Sequence, residues 1–407
     1  MQIIEKIKNT NSFSENYHSE IHKICINKLR LNPLPNNKSE RWRLANKSKF
    51  TRFLNYSFSD KFFKPPIPKD LENKKILRLI IGEEKKIYIK KTNWIIKELS
   101  EVEINNLIKE KISQNDCNEN WSDLLNLCLS DQKNILGLNI SGLDIPNLEI
   151  FSSSKNNLFH AKTLIINIEK DTNVDLMQIN LGDKDSALSL TSYFFLGAKS
   201  KVNHGIVSYG ATKSHLINSL NVFQQENSEY NLGSIQFKFD FARLEININQ
   251  VQGNAKTNIK GMQITAGNEQ ISTYANITFN GPNGFLDQLN KSLAQNKSHA
   301  IFEGLIEVPQ VAQQTDASQL SRNILLSNYA KIDTKPQLEI IADDVKCKHG
   351  ATISQLNENE LFYMRSRGLT LEEASKLQLK SYYQEIISFL PLSKARWDLL
   401  GLLLNNH

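Results

Sequence analysis

Cysteine is scarce in this 407-residue chain: there are four, and no two of them form a Cys-x-x-Cys pair. Cys25, Cys117, Cys128 and Cys347 stand far apart, so a disulfide framework is not expected and a reducing compartment fits best. Long apolar runs are missing too. None approaches the ~20 residues that span a bilayer. Met1 to Lys6 has neither a long apolar stretch nor a small-residue cleavage site, so no secretory signal is read there. The expected location is the cytoplasm, or the stroma of a plastid. The net charge of +6 is spread thinly, and basic stretches such as Lys85 to Lys91 are short. Nucleic-acid binding needs a basic face or stripe, which excludes that class of partner, as the missing spans exclude a membrane. GxxxxGK[ST], GxGxxG and GxSxG are all absent, so no nucleotide site and no nucleophile elbow is expected.

What remains is an ordinary globular composition. Apolar residues make up 40% and charged residues 23%, enough to build a core and too apolar for a disordered chain. The length predicts two or three regions. Residues 1–133 read as mainly helical. Ile21, Ile24, Cys25 and Leu29 follow helical spacing before Pro33 and Pro35, Pro65 to Pro68 is a stiff connector, and Trp121 to Leu129 is a short helix. Strand-like runs from Ile76 to Ile89 flank a Gly82-Glu83-Glu84 turn.

Residues 134–345 change character. Leu164-Ile166-Ile168, Ile235-Phe237-Phe239, Leu244-Ile246-Ile248 and Ile271 to Phe279 alternate with period two, separated by Gly, Asn, Asp and Ser. Only Gln319 to Leu326 reads as a short helix within them. Many short strands leave a sandwich, a propeller or a parallel β-helix. No blade motif occurs and hairpin-type Asn-Gly turns are nearly absent, which mildly favours the β-helix. Residues 346–407 read as helical again. Asn357 and Glu360, then Thr370 and Glu373, form capping boxes, Gly368 stops the first helix, and Trp397 to Leu404 is an apolar tail with helical character.

Most titratable residues carry no chemistry by their spacing. His18 and His22 flank a glutamate one position away from the HExxH pattern, so a solvated helix is expected there. His204, His215 and His299 read as surface or satisfied core residues. Asp343 and Asp344 are adjacent and face opposite ways on a strand, so they are no acid/base pair. Cys347 and His349 differ: one residue separates them, and an extended chain puts both on one face. Thiolate and imidazole suit iron in sulfide clusters, or zinc. Two ligands are too few for a closed site. The pair is half of a site completed by another surface, or a buried cysteine beside a turn histidine, and spacing alone favours the second.

The longer segment around this pair shifts that balance. Asp333-Thr-Lys-Pro-Gln-Leu-Glu-Ile340, Ala342-Asp-Asp-Val-Lys-Cys-Lys-His-Gly-Ala-Thr352 and Leu361-Phe-Tyr-Met-Arg-Ser-Arg-Gly368 together resemble the SufB/SufD family of iron–sulfur cluster assembly proteins. Phe302 to Ile306, Gln314 to Asp316 and, more weakly, Glu40-Arg-Trp-Arg43 fit the same family. The Gly-Ala-Thr after His349 is similar to the SufD type. The resemblance implies a right-handed parallel β-helix core flanked by N-terminal and C-terminal helical regions. It implies a scaffold subunit and not an enzyme, pairing with a SufB-like subunit through the β-helix and docking the SufC ATPase on the C-terminal helices. It places His349, with Cys347 beside it, at the SufB interface, where iron or a nascent iron–sulfur cluster is held transiently and shared with SufB. A homodimer in isolation, a purely structural stabiliser of SufB and a β-helix polysaccharide lyase are the alternatives. The lyase would need secretion and a carboxylate-lined groove, and neither is evident.

Overall fold

The computed structural model describes residues 20–32, 34–35, 40–65, 76–83, 87–114, 121–130 and 132–391, with Ile3, Glu5, Ile7 and Leu403. Cys117, His18, most of the Pro65–Pro68 connector and the Trp397–Leu404 tail other than Leu403 lie outside these residues. The chain is mainly β and folds as a parallel β-solenoid of about eight turns with helical regions at both ends. Among the described residues no helix is long and apolar enough to cross a membrane.

The N-terminal part holds helices α1 (Glu20–Leu31), α2 (Glu40–Arg43) and α3 (Lys47–Phe53), short strands β1 (Ser57–Phe58), β2 (Ile76–Ile80), β3 (Tyr88–Lys90) and β4 (Trp94–Glu98), then α4 (Glu101–Gln114) and α5 (Trp121–Leu129). One solenoid sheet stacks β5 (Ile135–Gly142), β7 (Leu158–Ile168), β9 (Ala187–Leu196), β11 (His215–Gln224), β13 (Phe241–Gln250), β15 (Gln270–Phe279), β17 (His299–Val308) and β19 (Lys331–Ile340). The other stacks β6 (Asn147–Ser153), β8 (Asn173–Leu181), β10 (Lys201–Tyr209), β12 (Glu229–Phe237), β14 (Lys256–Thr265), β16 (Phe285–Ala294), β18 (Asp316–Leu325) and β20 (Lys346–Ser354). Each strand pairs in parallel with the strand two places on, so every residue meets its counterpart one turn away.

Period-two alternation supplies the interior: Leu244, Ile246 and Ile248 point in and join one apolar core with Leu220, Val222 and Ile277. The corners need left-handed backbone, and Asn157, Asp185, Lys213, Lys238 and Asn296 provide it with φ between 51° and 62°. Gln319 to Leu326 is strand for most of its length, not helix. Its buried residues are the polar Gln319, Ser321 and Asn323, while Leu320 and Ile324 are less buried, so apolar spacing there imitates a helix. Strand structure also continues through Ser354, past the sequence boundary at 345, and helix resumes only with α6 (Glu358–Ser366) and α7 (Leu371–Ile387).

The helical parts cover opposite outer faces. α5 is wholly buried between α1 and the sheet of β7, β9 and β11. His22 of α1 is buried in this layer, not solvated as its polar neighbours suggest. α7 lies across the other sheet with Leu379, Tyr383 and Ile386 against Ile235 and Met262. Lys291 of β16 fastens it: its Nζ meets Glu385 Oε2 at 2.6 Å and donates to the Tyr382 carbonyl at 2.9 Å. The Tyr382 hydroxyl donates to the Arg322 carbonyl at 2.6 Å. Burial pulls the Lys291 ammonium below its ordinary pKa, and Lys291 pulls the Glu385 carboxyl down in turn. The carboxylate side of this pair therefore stabilises above the ordinary glutamate pKa and is lost as pH falls through its lowered value. Lys291→Met is expected to loosen α7 by about 1–3 kcal/mol. Hydrogen exchange would show it as faster exchange across 371–387 with the solenoid amides unchanged; protection equal to wild type would contradict it.

Candidate functional site

Among the described residues the last turn of the solenoid has no successor. β19 and β20 are the outer strands of their sheets, and residues that would be core in an earlier turn lie open. Ile340 is 41% and Ile353 47% exposed although both belong to the inward-pointing series of their strands. Cys347 and His349 sit in this unfinished layer on the same face of β20, in register with Ala317 and Gln319 of β18. Cys347 is half-buried and packs against the interior core with Leu338 and Val345. Burial pushes its thiol up, partly offset by a backbone hydrogen bond at Ala317. A free thiol is thus favoured over thiolate until a cation replaces the proton. His349 is exposed at the rim.

The other sequence candidates have structural partners. Asp343 accepts from Gln310 Nε2 at 3.1 Å, and the Asp344 amide donates to Gln313 Oε1 at 3.0 Å, so both brace the corner that leads into β20. His204 lies inside the solenoid with Nδ1 2.8 Å from the Tyr230 hydroxyl, and burial drops its pKa to about 3. His215 is buried under Tyr56 and held to about 4 by burial. His299 Nε2 lies 2.6 Å from Asp333 Oδ2, outside the sheet. Among the described residues no group of three or more His, Cys, Asp or Glu side chains is arranged to hold a metal ion. Cys347 and His349 are brought together on one face, and this chain offers them no third ligand within those residues.

The motifs around the pair each do visible work. Asp333 binds His299 and Lys331 (2.9 Å) outside, while Thr334 Oγ1 lies 2.9 Å from Ser321 Oγ inside. Pro336 stacks in register on Gly304. Leu361 to Ser366 lies in α6, which buries no residue and leaves Phe362 75% exposed beside Tyr363, and Gly368 follows its end with a positive φ. Leu377 of α7 lies beside Tyr363 and Met364 and is itself half exposed. Trp42, the centre of the weak N-terminal element, packs on Trp121 and on the guanidinium of Arg243. Spacing does not single out Arg243 or Gln319: each falls in an alternating strand where a polar residue normally marks the solvent face.

Residues 150–382, more than half the chain, match the family described as SUF system FeS cluster assembly, SufBD core domain. The chain is 37% identical over 205 residues to the iron–sulfur cluster assembly SufBD family protein slr0076 of Synechocystis, covering 50% of this chain and 45% of that protein. It is 38% identical over 135 residues to the iron–sulfur cluster assembly protein SufD of Escherichia coli, covering 33% and 31%. It is 33% identical over 198 residues to protein ABCI7, chloroplastic, of Arabidopsis thaliana, covering 48% and 42%. The matched part is therefore less than half the length of each of these relatives.

Proposed function

We infer the role of this chain from the premise that it belongs to the SufB/SufD family of iron–sulfur cluster assembly proteins and is SufD-like within it. The family assignment supports a part in SUF-system cluster assembly. Our reading is that the chain is a non-enzymatic scaffold subunit whose open solenoid end pairs with a SufB-like subunit. The observation that carries it is the unfinished last turn. Exposed Ile340 and Ile353 stand in the same inward-pointing layer as the thiol and imidazole of β20, and such a layer is stable once a second surface covers it. The partner supplies the remaining ligands, and iron or the nascent cluster is cargo held between the chains.

Cys347 contributes sulfur ligation once deprotonated, and His349 contributes a nitrogen lone pair at the rim. The exposed face of α6 and α7, with Phe362, Tyr363 and Leu377, suits docking of the SufC ATPase, which brings the nucleotide chemistry. A second copy of this chain meets the open end when SufB is missing. A reducing cytoplasm or stroma keeps the thiol available.

Reconstitution with SufB-type and SufC-type partners tests the reading. His349→Ala is expected to lower cluster yield by ~10-fold or more, since even an outer partner of a metal ligand is worth ~10–100-fold. Full yield with this variant would remove His349 from the site, and full yield with Cys347→Ala as well would leave the chain a purely structural partner of SufB.

A further inference from the structure

Gln288, Gln319 and His349 occupy the same inward position in three successive turns, on β16, β18 and β20. The two glutamines are 2% and 1% exposed. Gln319 Nε2 donates to Gln288 Oε1 at 2.9 Å, which commits one side of its amide to the turn behind. The other side, Oε1, is buried and has no partner among the described residues. Folded proteins seldom leave a buried amide oxygen unpaired. Gly304, on the facing strand β17, makes room for this amide: a Cβ there would lie 2.3 Å from Gln319 Nε2. In-register parallel strands stack like positions about 4.8 Å apart, the spacing at which amide ladders form. The next rung is the imidazole of His349, which has no hydrogen bond to any described residue, Gln319 included.

We propose that Gln319 is the positioning residue of His349: its Oε1 accepts one ring N–H, fixes the tautomer and directs the other nitrogen's lone pair out of the open end. A histidine that ligates a metal nearly always donates its second N–H to a carbonyl or carboxylate, which orients the ring and raises its basicity. Gln288 and Gly304 set this up, the first by turning the Gln319 amide, the second by admitting it. The inference rests on the reading of His349 as an interface ligand, but the contact it predicts needs this chain alone: the two side chains share a register position, and no hydrogen bond joins them in the structure as it stands.

The test uses ¹⁵N-histidine-labelled full chain at about pH 8, where free imidazole is neutral. The His349 ring signals are assigned by their loss in His349→Ala. Wild type and Gln319→Glu are expected to show a single tautomer. Gln319→Leu is expected to show a mixture. So is Gly304→Ala, which displaces the amide without removing it. In the reconstituted assembly Gln319→Leu should weaken iron binding by ~10–100-fold, with Gln319→Glu restoring most of it. An unchanged tautomer pattern in both Gln319→Leu and Gly304→Ala, with the fold intact by thermal melt, overturns the proposal and points to water on Oε1. A tautomer that shifts while His349→Ala assembles cluster normally would instead sink the ligand role and leave the positioning contact standing.

Discussion

Arg243→Ala is expected to destabilise the fold by about 3–5 kcal/mol, the cost of leaving a buried charge without its partner. Arg243 is 1% exposed on β13, beneath the N-terminal helices. Its Nε donates to Glu245 Oε1 at 2.5 Å and its Nη1 to the Arg41 carbonyl at 2.8 Å. The guanidinium lies between two rings, 4.0 Å from the Trp42 centroid and 3.7 Å from that of Tyr274. Glu245 also accepts from the Ser122 hydroxyl of α5. The truncation thus strands a buried carboxylate and opens a gap between two aromatic rings. Denaturant midpoints measure the loss, and Trp42 fluorescence reports it locally. Arg243→Met combined with Glu245→Leu is expected to recover most of it, because the penalty lies in the unpaired charge more than in the missing contacts. A double variant as unstable as Arg243→Ala would mean that packing between the rings dominates.

The same strand shows where the sequence is readable and where it is not. At Leu244, Ile246 and Ile248 apolar side chains fill the interior, so alternation is visible and the strand is read correctly. On β18 the interior side chains are Gln319, Ser321 and Asn323, so alternation inverts and the segment resembles a helix. A polar interior inside a parallel solenoid is invisible to any rule that equates polar with exposed. Pairing is the second gap. His349 meets Gln319 a full turn earlier, and no local spacing encodes that register. Spacing therefore placed Cys347 and His349 on one face, while the family resemblance singled them out, and only the fold shows them in an uncovered layer. His22 fails for the converse reason: its polar neighbours suggest water, but α1 turns it into the helical layer.

Asp123→Asn is expected to stabilise the protein at pH 8, with the gain shrinking to nothing near pH 4. Asp123 is 2% exposed on α5, and burial raises its carboxyl from 3.8 to about 7. A hydrogen bond from Ser219 opposes the rise and the nearby Glu245 charge adds to it. Thr191 Oγ1 donates to one carboxyl oxygen at 3.2 Å and Asn221 Nδ2 to the other at 3.0 Å, which does not offset the loss of water. Because the folded pKa lies above the unfolded one, the fold favours the protonated form. Its contribution is whole below about pH 4, falls as pH rises toward 7 and is a fixed penalty beyond. Three pKa units correspond to ~4 kcal/mol as a ceiling, and we expect about 1–3 kcal/mol because the asparagine amide must share a site built from donors. Unfolding free energies of variant and wild type between pH 4.5 and 8, the window about the two pKa values, decide it. A difference that stays flat across that window would show that Asp123 keeps its ordinary pKa. A difference that grows with pH would place the titrating group at the seam between α5 and the solenoid, where the Arg243–Glu245 pair ties the N-terminal helices to the sheet and the buried Asp123 carboxylate works against it.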